Sequence, residues 1–236
     1  MIPYRDFYYP LNVFMHILTA EEGEVRYLHY GLFERPDEPI ATAQERSTAL
    51  LLSRLPPPPA RLLDVGVGLG TTLARLQRLG YDAEGITPDE KQAAMGRGQV
   101  ARFEDWNGAP YDVLLFQESS QYIDAEALFA RARELAPRVI VLDEFSLGDG
   151  PLHPLDGFLR AASSNGFRVV EDIDLSAQAA PTVDYFRIRL PKYRDALIAD
   201  LGLTDAQVDE LIAGGEDYRD RYHSGRYSYR LLDFVR

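Results

Sequence analysis

The stretch Leu62-Leu63-Asp64-Val65-Gly66-Val67-Gly68-Leu69-Gly70 decides how this chain reads. An apolar run from Arg61 to Val65, of strand length, enters three glycines at alternate positions, and a helical stretch from Thr71 to Leu79 follows. A turn from strand to helix built on glycine exposes bare backbone, so a ligand can approach without meeting a Cβ. The spacing is G-x-G-x-G. A nicotinamide dinucleotide fingerprint needs its third glycine one residue later, where Thr71 stands, so that cofactor is disfavoured.

Working outward, strand and helix signals take turns. Ala83 to Thr87 reads as a short strand and Asp89 to Gly96 as a helix; Tyr111 to Phe116 and Val139 to Leu142 are further apolar runs separated by helix-length segments. Such alternation builds βαβ units and a parallel sheet, which predicts an α/β, doubly wound fold. Leu155 to Asn165 then reads as a helix ending at Gly166, and Phe167 to Ile173 as a strand. A helical insert follows, marked by the capping box Thr204-Asp205-Ala206-Gln207, with Gly214-Gly215 expected to end that helix. In the last strand, Arg226 to Val235, Tyr227, Tyr229 and Leu231 alternate with Ser228, Arg230 and Leu232.

Upstream, residues 1 to 55 read as helical and rich in aromatics, with an amphipathic helix from Ile40 to Leu55. Pro56 to Pro59 stop it and form a stiff connector. The expected organisation is one domain: a helical cap and connector over 1–60, a core over 61–177 and 223–236, and a helical cap insert over 178–222. At 236 residues with 46% hydrophobic composition, two equal domains would be cramped.

Composition excludes several functions. The net charge of −12 opposes phosphate backbones, so no nucleic-acid partner is expected. No run approaches the length that spans a bilayer, and Arg5 and Asp6 stand where a signal peptide is apolar, so no membrane partner and a soluble, cytoplasmic protein are expected. With no cysteine, and with His16, His29, His153 and His223 scattered, no metal is expected.

Leu62 to Gly70 resembles the D-x-G-x-G-x-G loop of class I S-adenosylmethionine-dependent methyltransferases. Gly85-Ile86-Thr87-Pro88-Asp89-Glu90-Lys91-Gln92 is similar to the second-strand G-(I/L)-T-x-S-x-x-Q stretch of the cyclopropane fatty acid synthase branch, with Asp89 in place of serine. Arg102 to Trp106 and Tyr111 to Glu118 match the two blocks expected next, and Tyr27 to Phe33 with Ala43-Gln44 resembles the H-Y-G-x-(W/F) and A-Q elements found ahead of the loop. The resemblance implies a Rossmann-like, mostly parallel seven-stranded sheet with an antiparallel last strand, a helical cap, and S-adenosylmethionine as cofactor. It implies cofactor contacts at His29, Asp64, Gly66, Gly68, Gly70, Thr87, Pro88, Gln92, Phe103, Glu104 and Gln117. Asp89 reads equally as a helix N-cap, Trp106 as a core aromatic, and His29-Tyr30 as a turn built on Gly31.

Transfer from a sulfonium asks mainly for alignment and exclusion of water. Glu118, Tyr30 and Tyr185 are candidate catalytic groups, and Tyr9, Gln121, Tyr122 and Asp143 candidate substrate contacts, with Glu144 beside them. The same residues also suit loop capping and core packing. Three functions remain open: methyl transfer to a small molecule, cyclisation of the cofactor to azetidine-2-carboxylate and methylthioadenosine, and cofactor binding without turnover. Cyclisation is suggested by the aromatic-rich stretches Tyr4 to Tyr9 and Tyr218 to Tyr229, and by the lack of an acceptor-binding signature. The oligomeric state is left open.

Overall fold

Strand β1, Arg61–Val65, is central to a seven-stranded sheet and pairs in parallel on both sides, with β2 (Asp82–Thr87) and β4 (Val113–Gln117). β3 (Gln99–Val100) extends the sheet beyond β2, and β5 (Arg138–Ser146) beyond β4, both in parallel. β7 (Tyr227–Val235) runs antiparallel between β5 and β6 (Arg168–Asp174), which completes the order β3-β2-β1-β4-β5-β7-β6. The expected doubly wound sheet with an antiparallel last strand is therefore present. The parallel crossovers carry helices, as right-handed βαβ units do, except the one from β3 to β4, which holds only a short 3-10 turn at 103–105. The helices that serve them are α3 (Thr71–Arg78), α4 (Glu90–Gly96), α5 (Ala125–Leu135) and α6 (Leu155–Ser164).

The computed structural model describes residues 4–236, without the side chain of Asp6; residues 1–3 of the expected cap lie outside the described residues. Two compact units result: 48–176 with 226–236, which holds the sheet, and 4–47 with 177–225, which is helical. The helical unit holds α1 (Leu11–Glu22), α8 (Arg194–Leu201), α9 (Asp205–His223), nearly all of α7 (Ser176–Lys192) and the first part of α2 (Ile40–Leu52).

Alternation along the strands sorts the sheet into two faces. Leu63, Val65, Leu114, Phe116, Val139, Val141, Leu232 and Phe234 bury one face against Leu128, Phe129 and Ala132 of α5 and Phe158 and Ala161 of α6. The other face carries Leu62, Asp64, Leu115, Gln117, Leu142, Glu144, Tyr229 and Leu231. On this second face Arg138 and Asp233 pair at one end, while Asp64, Gln117 and Glu144 cluster at the opposite, carboxyl-terminal part. That is the edge where open parallel sheets hold ligands.

Several expected boundaries shift by one to three residues, because helix ends fray and strand ends follow their partners. β3 is too short to show as a periodic run. One expectation is overturned. Gly214-Gly215 does not end the insert's helix: α9 runs on to His223. The capping box at Thr204 and Gln207 is made in both directions. Beyond the glycines, Arg221 pairs with Asp217 and Arg219 with Glu216 at helical spacing, and Arg187 of α7 reaches Glu216. These pairs and the packing of α9 outweigh the roughly 1 kcal/mol that each glycine costs a helix interior.

Candidate functional site

Alternate residues of the glycine loop are left-handed: Gly66, Gly68 and Gly70 have φ of 82°, 52° and 75°. The loop is stitched to β2 by Gly66 and Val67 amides donating to the Ile86 carbonyl, and closed by the Gly70 amide donating to Val67. Two of the glycines have a protein reason to be glycine. A Cβ on Gly66 would stand 2.5 Å from the Cβ of Ser119, and one on Gly70 would stand 2.4 Å from the Cα of Gly96 at the end of α4. Gly70 thus lets α3 start against the backbone of α4.

Beneath the loop, Asp64 is 3% exposed and its Oδ2 has no hydrogen-bond partner among the described residues. Burial alone pushes its carboxyl up to about 7. A buried carboxylate oxygen left unsatisfied is costly in the absence of a ligand. With the amino terminus of α3 beside it, the loop offers one place for negative charge and another for positive.

At the end of β4 the chain turns sharply. Gln117 accepts from the Thr72 hydroxyl of α3 and donates to Thr48 of α2. Glu118 follows with φ of 57°, a left-handed conformation that costs a residue with a Cβ about 1–2 kcal/mol. The turn is held at every step. The Glu118 amide donates to the Leu142 carbonyl, the Ser119 hydroxyl to the Val65 carbonyl, and the Ser120 amide and hydroxyl to Asp143. The Glu118 carboxylate accepts from the Tyr229 hydroxyl at 2.6 Å.

Asp143, expected near substrate, lies on the α5–α6 face and is 2% exposed, its two oxygens accepting from Ser120 and from the Glu144 amide. Burial pushes its carboxyl up to about 6 against those hydrogen bonds. Gln121 is likewise committed: its amide donates to the Glu144 carbonyl and its oxygen accepts from the His153 amide. His153 turns Nε2 to the Ser120 and Ile123 carbonyls. Tyr122 is 76% exposed.

At the end of β2, Thr87 donates to the Gln92 side chain and both are buried, while exposed Pro88 leads into Asp89. Asp89 is the N-cap of α4, accepting from the Gln92 amide at 2.8 Å. In the short 3-10 turn at 103–105, Phe103 is buried edge-on to Phe116 and Glu104 pairs with Arg102. Trp106 settles as a structural aromatic: its indole N–H donates to the Tyr111 hydroxyl, which donates to Glu84, itself paired with Arg61.

The remaining candidates belong to the helical unit. His29 is buried, with Nδ1 on the Tyr30 carbonyl, and burial pulls its imidazole down to about 4, so it is neutral at pH 7. The Gln44 amide donates to the His29 carbonyl, and the Gly31 amide donates to the Thr182 hydroxyl of α7. Tyr30 is half-buried between them. The Tyr185 hydroxyl donates to Glu22 under the Arg189 guanidinium, and burial raises its pKa. Tyr9 is exposed and donates to the Gln207 carbonyl.

Within the sheet unit, then, Asp64, Gly66, Gly68, Gly70, Gln117 and Glu118 come together at the ends of β1 and β4, with Thr87, Pro88 and Gln92 at the end of β2. Sequence reasoning missed the part of Tyr229, whose only signal was the alternation of tyrosines in the last strand. It also missed Ser119 and Ser120, which carry no motif.

Among the described residues no helix is long and apolar enough to cross a membrane. No family profile matches the chain, and no curated protein sequence does. Solved structures do match. The mycolic acid cyclopropane synthase CmaA1, complexed with SAH and CTAB, is similar with a TM-score of 0.78 at 20% identity, over 88% of this chain and 89% of that one. A putative sarcosine dimethylglycine methyltransferase from Galdieria sulphuraria gives 0.79 at 15% identity, over 94% and 96%. The [4+2]-cyclase SpnF gives 0.79 at 18% identity, over 94% and 91%. The structural neighbours thus include cyclopropane synthases and small-molecule methyltransferases, and the chain has the methyltransferase-like α/β fold.

Proposed function

We propose that this chain is an S-adenosylmethionine-dependent transferase that methylates a small molecule. The observation that carries the reading is Asp64, a buried carboxylate with an unpartnered oxygen directly under a left-handed glycine loop. The residues present fit the cofactor. Asp64 answers its positive charge, the start of α3 its carboxylate, Thr87 and Gln92 its ribose, and Phe103 and Glu104 its base. Bound S-adenosylmethionine would supply an electrophilic methyl carbon on a sulfonium leaving group. Gln117, tied to Thr72 and Thr48, steadies the loop's far side, and Glu118 stands at the strand end where a reacting group is received. His29, neutral when buried, adds no like charge in the helical unit.

A second reading keeps the same site and cyclises the cofactor itself to azetidine-2-carboxylate and methylthioadenosine. It is favoured by Tyr227 and Tyr229, 2% and 0% exposed on β7, which suit a closed site more than one open to an acceptor. Calorimetric titration with S-adenosylhomocysteine tests both readings, and absence of binding rejects both. Incubation with S-adenosylmethionine alone then separates them: methylthioadenosine formed without an acceptor supports cyclisation, and a stable cofactor supports methyl transfer. Binding without turnover on any small-molecule acceptor supports a non-catalytic cofactor protein.

A further inference from the structure

We propose that Tyr229 is a positioning residue that holds the Glu118 carboxylate to take the proton of an amine nucleophile, which makes the substrate class an amine. The proposal rests on the cofactor reading above and deepens it.

Three observations converge. Glu118 occupies a left-handed position that glycine or asparagine would fill at less cost, and the turn around it is fixed by the Leu142, Val65 and Asp143 contacts. Tyr229, fully buried on β7 and paired across the ladder with Glu144 of β5, reaches to the end of β4 and donates to Glu118 at 2.6 Å. A phenol that donates its proton to a carboxylate fixes the direction of that carboxylate. Independently, the Asp64 Oδ2, buried and without a partner, belongs to the same sheet face and the same edge, so the crevice is built for positive charge twice over.

An amine suits two carboxylates at one edge better than a neutral alcohol, because it arrives with a positive charge. At neutral pH an amine arrives as an ammonium, drawn by carboxylates, and must lose one proton before its lone pair can attack. The proton passes from nitrogen to a Glu118 oxygen. The nitrogen lone pair then forms the new N–C bond while the C–S bond breaks, and its electron pair leaves with a neutral thioether sulfur. Methyl transfer and cyclisation share this step; they differ in whose amine attacks and at which carbon.

The test uses two cofactor analogues on the whole protein: sinefungin, which carries an ammonium where the transferred methyl would be, and S-adenosylhomocysteine, which carries nothing there. The expected result is at least about tenfold tighter binding of sinefungin by the native chain, as one added charge-assisted hydrogen bond gives. Glu118→Asn, which keeps a residue suited to the left-handed turn, brings the two affinities to within about twofold. Tyr229→Phe lowers the preference by about threefold or more. Thermal melts of both variants, with Glu118→Gln as a third, show that folding is intact. An affinity ratio unchanged by Glu118→Asn overturns the proposal while leaving the cofactor reading standing, and an unchanged ratio in Tyr229→Phe removes Tyr229 from it. Failure of the native chain to bind either analogue ends the cofactor reading first, and the proposal with it.

Discussion

Ser119 lies directly against Gly66: a Cβ on the glycine would stand 2.5 Å from the serine Cβ, while the serine hydroxyl donates to the Val65 carbonyl one residue before. The end of β4 is thereby clamped to the end of β1, and the loop that receives the ligand is shaped partly by protein packing.

Gly66→Ala should therefore cost stability before any ligand is added. The left-handed φ contributes about 1–2 kcal/mol and the collision with Ser119 about as much again. Chemical denaturation should show a loss of about 2–4 kcal/mol, and adding Ser119→Gly should recover the steric part only. Full additivity of the two changes would show that the residues do not meet.

Gly68→Val tests the ligand without the same packing argument. Its φ of 52° sits at the centre of the loop, and a branched side chain there disfavours that backbone as well as blocking approach to it. Affinity for S-adenosylhomocysteine should fall by about a hundredfold or more, equivalent to roughly 3 kcal/mol. Native affinity in the variant places the cofactor elsewhere.

Asp64 sets a pH dependence. Its carboxyl is raised to about 7 in the folded chain from an unfolded value near 4, so the folded state holds the proton more tightly. Its contribution to stability is complete below about pH 4 and is lost as pH rises to about 7, by at most about 4 kcal/mol. Asp143 acts in the same direction only up to about 6. His29, lowered to about 4, acts in the opposite direction: its contribution is present above the unfolded value and lost as pH falls towards 4. Over the interval from pH 6.5 to 8 the difference between the native chain and Asp64→Asn therefore isolates Asp64, since the opposing His29 contribution is common to both. Without ligand, the native melting temperature should fall across it, and that of Asp64→Asn should not. Affinity for S-adenosylhomocysteine should rise with pH in the native chain and stay flat and weaker in the variant; equal slopes would mean that Asp64 does not face the ligand.

Trp106→Phe should leave cofactor affinity within about twofold of native, since the indole N–H is spent on Tyr111. Stability should drop by about 1 kcal/mol for the lost hydrogen bond. A tenfold loss of affinity, read by calorimetry, would make Trp106 a cofactor contact in addition to its structural part.

What the sequence determined by itself was the order of elements and the glycine loop, because both are written in short-range terms. Leu62 to Val65 announces a buried strand by its own side chains, Gly66, Gly68 and Gly70 announce backbone at positive φ, and Thr204 with Gln207 announces a helix start within four residues. The helix across Gly214-Gly215 was not legible, because what carries it past the glycines is packing and an ion pair from Arg187, 29 residues away. The polar candidates were legible as a set and not as individuals. Asp143 and Glu118 both follow strand runs in the sequence, yet one is enclosed by Ser120 and the Glu144 amide and the other, itself left-handed, is held by Tyr229, 111 residues on. Local propensity decides where a strand or turn forms. Only the assembled sheet, which brings β7 beside β5 and β4 beside β1, decides that Asp143 is enclosed by Ser120 and that Glu118 is met by Tyr229.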